Sequence, residues 1–444
     1  MKDSFQARLI SLIALCSLSA PAVALVGGSP LGSQVTPITR QVEQRAGRLV
    51  ERAMERRLEK QIEAQTAAAR KPLEELPARL PILTHKGQKA FNDVILEDGF
   101  RAVATQWLVT GTESEIASLN QSGITILERN ELSGLGMILA RFQVTAELDS
   151  QKALEIALPE LADRLDRNHI YAPQTGGDAT RPKAGIPQWR SLCQAPVRIG
   201  MVDTAIDTAH PVFGNANVVQ ERFLELAEAD GPLAEVTDHG TAVASLMVGK
   251  RDHQWSARLP EATLFNASVF YGRNRGLSGA TLTHLLQGLN WLAGQELSVI
   301  NISLTGPDNR LLKTAVKALR ESGVLLVAAV GNQGPAAAPL YPAAYPGVVG
   351  VTAVDTSGEL YRWANRGEQI MFAGPGVSVP VAYPGGDMVV DNGTSLAAPV
   401  IAAALACNRA DLPAADAIDV LIRKARDLGK PGRDTSFGHG FLDL

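Results

Sequence analysis

The sequence predicts an α/β protein with a mainly parallel sheet flanked by helices, preceded by a small α+β unit of ferredoxin-like arrangement. Two observations carry this. From Val197 onward, almost continuously apolar runs alternate with helical stretches, as strands buried on both faces do. Between Arg101 and Ala172 the pattern reads β-α-β-β-α-β. The length of 444 residues agrees, leaving room for one large core and smaller parts. Hydrophobic residues at 45% and charged residues at 20% exclude wholesale disorder and a multi-span membrane protein. A net charge of −4 gives no global reason to expect a nucleic-acid partner.

Taken in order, residues 1–24 read as a secretory signal peptide. Lys2 and Arg8 precede the apolar run Leu9 to Ala20, then Pro21 and the small triplet Ala22-Val23-Ala24. The run is roughly a dozen residues, too short for a stable membrane span. Residues 25–100 read as leader and amphipathic helix. Val26 to Pro37 is rich in Gly, Pro and Ser, and Val50, Met54, Leu58 and Ile62 recur every four residues among charges. Pro72, Pro77 and Pro81 are expected to end that helix. Residues 101–172 hold the small α+β unit: strands Ala102–Val109, Thr125–Arg129 and Gly136–Phe142, helices Glu113–Ser122 and Ser150–Leu158, and an extended stretch near Asn168–Tyr171. It contains no nucleophile, metal cluster or phosphate loop. Residues 173–188, with Gly and Pro, read as an exposed linker.

Residues 189–444 carry the larger unit. Its strands are expected at Val197–Val202, Thr263–Val269, Leu297–Leu304, Val324–Val330 and Val348–Val354. Its helices are expected at Thr241–Val248, Leu282–Ala293, Leu311–Ser322 and Ser395–Ala406. Of the three cysteines, Cys193 and Cys407 remain after signal removal, either paired in an oxidising space or as two buried thiols.

Four segments lie at strand ends or helix starts, where open α/β sheets place their sites. Asp203, in Val202-Asp203-Thr204-Ala205-Ile206-Asp207, ends a buried strand and needs a partner unless it only caps a turn. His239, in Asp238-His239-Gly240-Thr241, opens a small-residue helix, where a histidine can also be structural. Asn332 follows an apolar strand and offers an NH₂ donor to an oxyanion, or a turn. Ser395, in Asn392-Gly393-Thr394-Ser395-Leu396-Ala397-Ala398-Pro399, opens a helix as nucleophile or simple N-cap. A serine hydroxyl needs a base and the base an orienting acid, which these segments supply together. The order Asp, His, Ser and the lack of G-x-S-x-G argue against an α/β-hydrolase.

On these residues the sequence resembles the subtilisin-like serine proteases. Asp203 to Asp207 looks like their Asp box, His239-Gly240-Thr241 their His box and Gly393 to Pro399 their Ser box, in the family's chain order. The resemblance implies Asp203, His239 and Ser395 as catalytic residues and Asn332 as oxyanion donor. It implies substrate binding along Ser303, Leu304, Thr305 and Gly306, within Asn301 to Gly306. Gly438 to Asp443 resembles the close of the catalytic domain. Ala242 stands where the family often has a second His, Leu396 where it has Met and Thr305 where it has Gly. Ala242 is expected to loosen helix packing and Thr305 to narrow the specificity pocket.

The implied function is an exported serine endopeptidase, periplasmic or extracellular, acting on polypeptides through an acyl-enzyme. The same resemblance makes the 101–172 unit a pro-domain that assists folding and then inhibits, with self-cleavage between Ala172 and Gln188. No cofactor is expected. Calcium sites are common in the family, but no compact acidic loop with ligand spacing is found. With Gln333 rather than an acid after Asn332, a small or medium apolar residue before the cut is expected. Two rivals are a binding protein keeping the fold without turnover, and an enzyme processing one envelope partner. The first would be marked by loss of Asp203, His239 or Ser395, and none is lost.

Overall fold

Strands with alternating or continuous apolar character organise both halves of the chain in the computed structural model, which describes residues 76–173, 189–250, 256–273 and 278–444. The expected signal peptide, the 40–70 helix and residues 174–188 of the linker lie outside the described residues.

The N-terminal half comprises β1 (Arg79–Leu83), β2 (Lys89–Ile95), β3 (Arg101–Gly111), α1 (Glu113–Ala117), β4 (Ile124–Leu132), β5 (Met137–Val144), α2 (Gln151–Ala157) and β6 (Leu165–Pro173). From β3 to β6 the sheet runs β4-β5-β3-β6, every neighbour antiparallel, which is the ferredoxin-like order. Thr112 starts α1 with a reciprocal Thr112–Glu115 capping box, and Ser150 caps α2. The hairpin β1–β2 corrects the reading of residues 25–100 as leader and helix. Its outer strand alternates exposed and buried residues, so Leu80 and Ile82 face inward. Pro81 is tolerated because β1 is an edge strand.

The C-terminal half comprises β7 (Arg198–Asp203), β8 (Asn217–Arg222), α3 (Asp238–Val248), β9 (Thr263–Ser268), β10 (Tyr271–Gly272), β11 (Ser278–Thr281), α4 (Leu282–Ala293), β12 (Val299–Ile302), β13 (Leu304–Thr305), α5 (Arg310–Glu321), β14 (Leu325–Ala329), β15 (Val349–Val354), β16 (Ile370–Pro375), β17 (Val379–Tyr383), β18 (Asp387–Asp391), α6 (Thr394–Arg409) and α7 (Ala414–Lys424). Its main sheet is parallel throughout, in the order β16-β15-β14-β12-β7-β9-β8.

Strand alternation divides the core in two. Ile199, Met201, Val299 and Val327 face the side covered by α3 and α6, whereas Val202, Ile300, Ile302 and Leu326 face α4 and α5. The second layer also takes in Leu132, Leu135, Leu139 and Tyr171, so the N-terminal unit packs over α4 and α5. Cys193 and Cys407 form a disulfide, closing the alternative of two free thiols.

Candidate active site

Asp203 is the last residue of β7 and is fully buried. One of its oxygens, Oδ1, accepts from the Thr204 N–H at 2.7 Å and from His239 Nδ1 at 2.6 Å. A carboxylate only accepts, so this contact puts the ring proton on Nδ1 and leaves Nε2 as the acceptor of the neutral ring. His239 Nε2 is buried without a hydrogen-bond partner among the described residues. Burial opposes charge on His239, yet the Asp203 carboxylate, helped by Asp238 and Asp391, raises its pKa above the ordinary 6.5.

The approach of these residues depends on Gly240. A Cβ there would lie 2.4 Å from the Thr204 carbonyl oxygen, so only glycine lets α3 come this close to the end of β7. The Gly240 N–H then donates to Thr204 Oγ1 at 2.7 Å, fixing helix to loop.

Ser395 lies in the first turn of α6, fully buried. The N-cap is Gly393, with no side-chain cap bond, so Ser395 is not spent as a cap. Thr394 donates from both N and Oγ1 to Asn332 Oδ1, at 3.1 and 2.9 Å. That orients the Asn332 amide with its NH₂ end turned away from Thr394.

Around Ser395 the structure adds a pair of contacts that sequence reasoning missed. A helical N–H at position 399 would bond the Ser395 carbonyl, but Pro399 has none. Ser303 Oγ fills the gap, donating to the Ser395 oxygen at 3.0 Å while accepting from Asn301 Nδ2 at 2.9 Å. The signal was available as a proline four residues after the serine. Replacing Ser303→Ala removes this bond to a buried carbonyl and is expected to destabilise by about 1–3 kcal/mol, lowering kcat more than it changes KM. Thermal unfolding and steady-state kinetics check this.

The rest of the expected substrate wall faces the N-terminal unit. Leu304 and Thr305 pair antiparallel with Pro173 and Ala172 of β6. On its other edge β6 pairs with β11, Tyr171 opposite Ala280 and Ile170 opposite Thr281. Gly306 makes room for the Tyr171 ring, since a Cβ there would lie 2.4 Å from it, and Tyr171 Oη donates to the Pro307 carbonyl at 3.2 Å. The expected loosening at Ala242 is not found. Ala242 and Leu246 of α3 share an apolar cluster with Leu396 of α6 and with Val379 and Val381 of β17, which fills the space. Among the described residues, no group of three or more His, Cys, Asp or Glu is placed to hold a metal ion.

The parallel α/β sheet pairs Asp203 with His239, Asn332 is held by Thr394, and Ser395 lies in the first turn of α6, the elements a serine hydrolase of this fold uses. Residues 195–440 match the subtilase family, Peptidase S8. The match covers more than half of the 444 residues, and the chain belongs to that family. It is a serine-type endopeptidase of subtilisin-like fold. Similar curated proteins include Subtilisin amylosacchariticus of Bacillus subtilis subsp. amylosacchariticus, 28% identical over 59% of this chain and 68% of the relative. Subtilisin DY of Bacillus licheniformis is 31% identical over 59% of this chain and 94% of its own. Minor extracellular protease Epr of Bacillus subtilis (strain 168) is 33% identical over 46% of this chain and 32% of its own. Among solved structures, the protease domain of PatA matches with a TM-score of 0.49 and 26% identity, covering 56% of this chain and 94% of that one.

Proposed function

We propose that Ser395 is the nucleophile, His239 its base, Asp203 the group that orients and charges against the imidazole, and Asn332 with the Ser395 N–H the oxyanion donors. In this reading Ser395 Oγ attacks the peptide carbonyl as His239 Nε2 takes its proton, then the proton passes to the leaving amine. Water repeats the sequence on the acyl-enzyme. The observation carrying the assignment is the 2.6 Å contact of Asp203 with the Nδ1 side of a buried His239.

We further propose that the unit ending in β6 is an inhibitory pro-domain, and that the protein is exported. The first is supported by β6, which takes both edges an extended substrate would need, at β11 and at β13. Export is supported by the Cys193–Cys407 disulfide, which persists in oxidising compartments, and by the extracellular location in the name of the Epr relative.

A serine-directed fluorophosphonate should label the matured protein and not the Ser395→Ala variant; equal labelling of both overturns the assignment. Mass spectrometry of the matured N-terminus should find a start within residues 173–189. The pH profile follows from His239. Neutral imidazole is the base and its pKa is raised, so kcat/KM should climb with pH through a midpoint above 6.5. Below that midpoint it should fall about tenfold per pH unit, and a plateau already reached at pH 6 would contradict the assignment.

A further inference from the structure

The ferredoxin-like unit spans β3 to β6, and the hairpin β1–β2 stands outside it. Its tip and inner face nevertheless meet the C-terminal half. Thr84 bridges Leu233 antiparallel, the His85 N–H donates to the Pro232 carbonyl at 3.0 Å, and Lys86 pairs with Asp230 at 2.8 Å. Gly231 belongs to this fit, because a Cβ there would lie 2.6 Å from the His85 ring.

The inner face is apolar and shared. Leu80, Ile82 and Phe91 pack in one cluster with Leu224, Leu233 and Tyr271 and with Ile170 of β6, and the rings of Phe91 and Tyr271 meet edge-on at 5.5 Å. At its margin Asp93, fully buried, is held at 2.6 Å by Arg101 of its own unit and at 3.1 Å by Arg273 of the other. A buried carboxylate between two guanidiniums is favourable only while both stay in place. Separating the halves would therefore leave Asp93 without one of its two cations.

We infer that the hairpin β1–β2 is a second docking element, which clamps the N-terminal unit to the segment 224–233 and to Tyr271–Arg273 through contacts of its own, beside those of β6. This rests on the reading of that unit as an inhibitory pro-domain. Inhibition is then two-handed. When β6 leaves the cleft, the hairpin keeps the unit at high effective concentration, so β6 rebinds rather than escapes. Release requires both contacts to open, which makes onset of activity slow.

The test uses the full-length chain with two readouts. The first is hydrogen exchange at Tyr171 and Ala172, which pair across to β11 and β13, in a Ser395→Ala background, which reads docking without self-cutting. The second is the lag before the otherwise unaltered chain reaches full peptide hydrolysis. Phe91→Ala should speed exchange at these amides and shorten the lag by about tenfold, with final activity unchanged. Lys86→Asp should act in the same direction by about threefold, and adding Asp230→Lys should restore the original values. If Phe91→Ala unfolds the unit, seen as lost protection across β4 and β5, the charge-swap pair decides alone, because restoration by the second substitution needs the contact itself. Unmoved exchange and lag in the folded variants overturn the clamp. Failure of the pro-domain reading looks different: Tyr171→Ala, which leaves the hairpin intact, would then not shorten the lag. A lag shortened by Tyr171→Ala but not by the hairpin variants retires the clamp and keeps the pro-domain.

Discussion

Replacing Asp203→Asn should lower kcat by about 10⁴ at neutral pH while leaving the fold intact. The substitution is nearly isosteric at a fully buried position. The Thr204 N–H, which donates to Oδ1 at 2.7 Å, would hold the amide oxygen, so the NH₂ would be turned elsewhere. The same oxygen would still accept from His239 Nδ1, so what is lost is the negative charge 2.6 Å from that nitrogen, which stabilises the imidazolium formed during attack. Asp203 is the first of the influences that raise the His239 pKa, and burial is the one that lowers it. Without the carboxylate, burial prevails and the remaining pH–rate limb should move to lower pH. The coupling also has a sign in stability. A raised folded pKa adds stability that is complete below the unfolded value near 6.5 and is lost as pH climbs through the folded value. In Asp203→Asn that increment should disappear, so thermal unfolding of variant and parent should converge towards alkaline pH. A variant that keeps even a tenth of the parental kcat, with an unshifted pH limb, would remove Asp203 from the mechanism.

How much of this was legible beforehand follows from which residues carry local signals. The parallel sheet was readable because strands such as Leu325–Ala329 are buried on both faces and so are apolar throughout. Asp203, His239, Asn332 and Ser395 were proposed because each sits in a short motif at a strand end or helix start, and close approach explains part of that pattern. Gly240 against the Thr204 carbonyl is the clearest case. The hairpin β1–β2 was hidden by its prolines. Pro77 and Pro81 signal a helix stop, and only the edge position of β1 makes a proline within it tolerable. The strands β8 and β16 and the hairpin β17–β18 were also missed. β8 is largely exposed, so its residues show no apolar run, and its pairing with β9 is a tertiary fact. The role of Ser303 was legible in part: it lies on the expected wall, but its hydroxyl serves the Ser395 carbonyl. That contact joins residues 92 apart in the chain: Pro399 signals locally that the Ser395 carbonyl lacks its helical donor, but not that Ser303 answers it.

Removing the disulfide with Cys193→Ser and Cys407→Ser should produce the largest loss of stability expected from changing any one feature of the fold. The bond joins the segment before β7 to the last turns of α6, across a sequence separation of 214. Closing a loop of that length restricts the unfolded chain strongly, by about 5 kcal/mol on the chain-entropy account and about 2–5 kcal/mol as usually measured. For a domain of this size each kcal/mol corresponds to roughly 2–4 °C, so the midpoint should drop by about 5–15 °C. The half-life of activity at elevated temperature is the more direct readout if unfolding proves irreversible. Packing will offset part of the loss, because Cys193 and Cys407 both lie against the main apolar core and serine fits their volume. The segment has a second anchor as well: Arg258 stacks on the Trp189 ring at 3.7 Å and donates to the Leu246 carbonyl. The effect should therefore appear in stability far more than in kcat, since Ser395 occupies the opposite end of α6 and is held there by Ser303. Treating the parent with a reductant should reproduce the shift of the double variant and add nothing to it. A parent whose midpoint is unmoved by complete reduction would mean that core packing alone holds the start of the catalytic half in place.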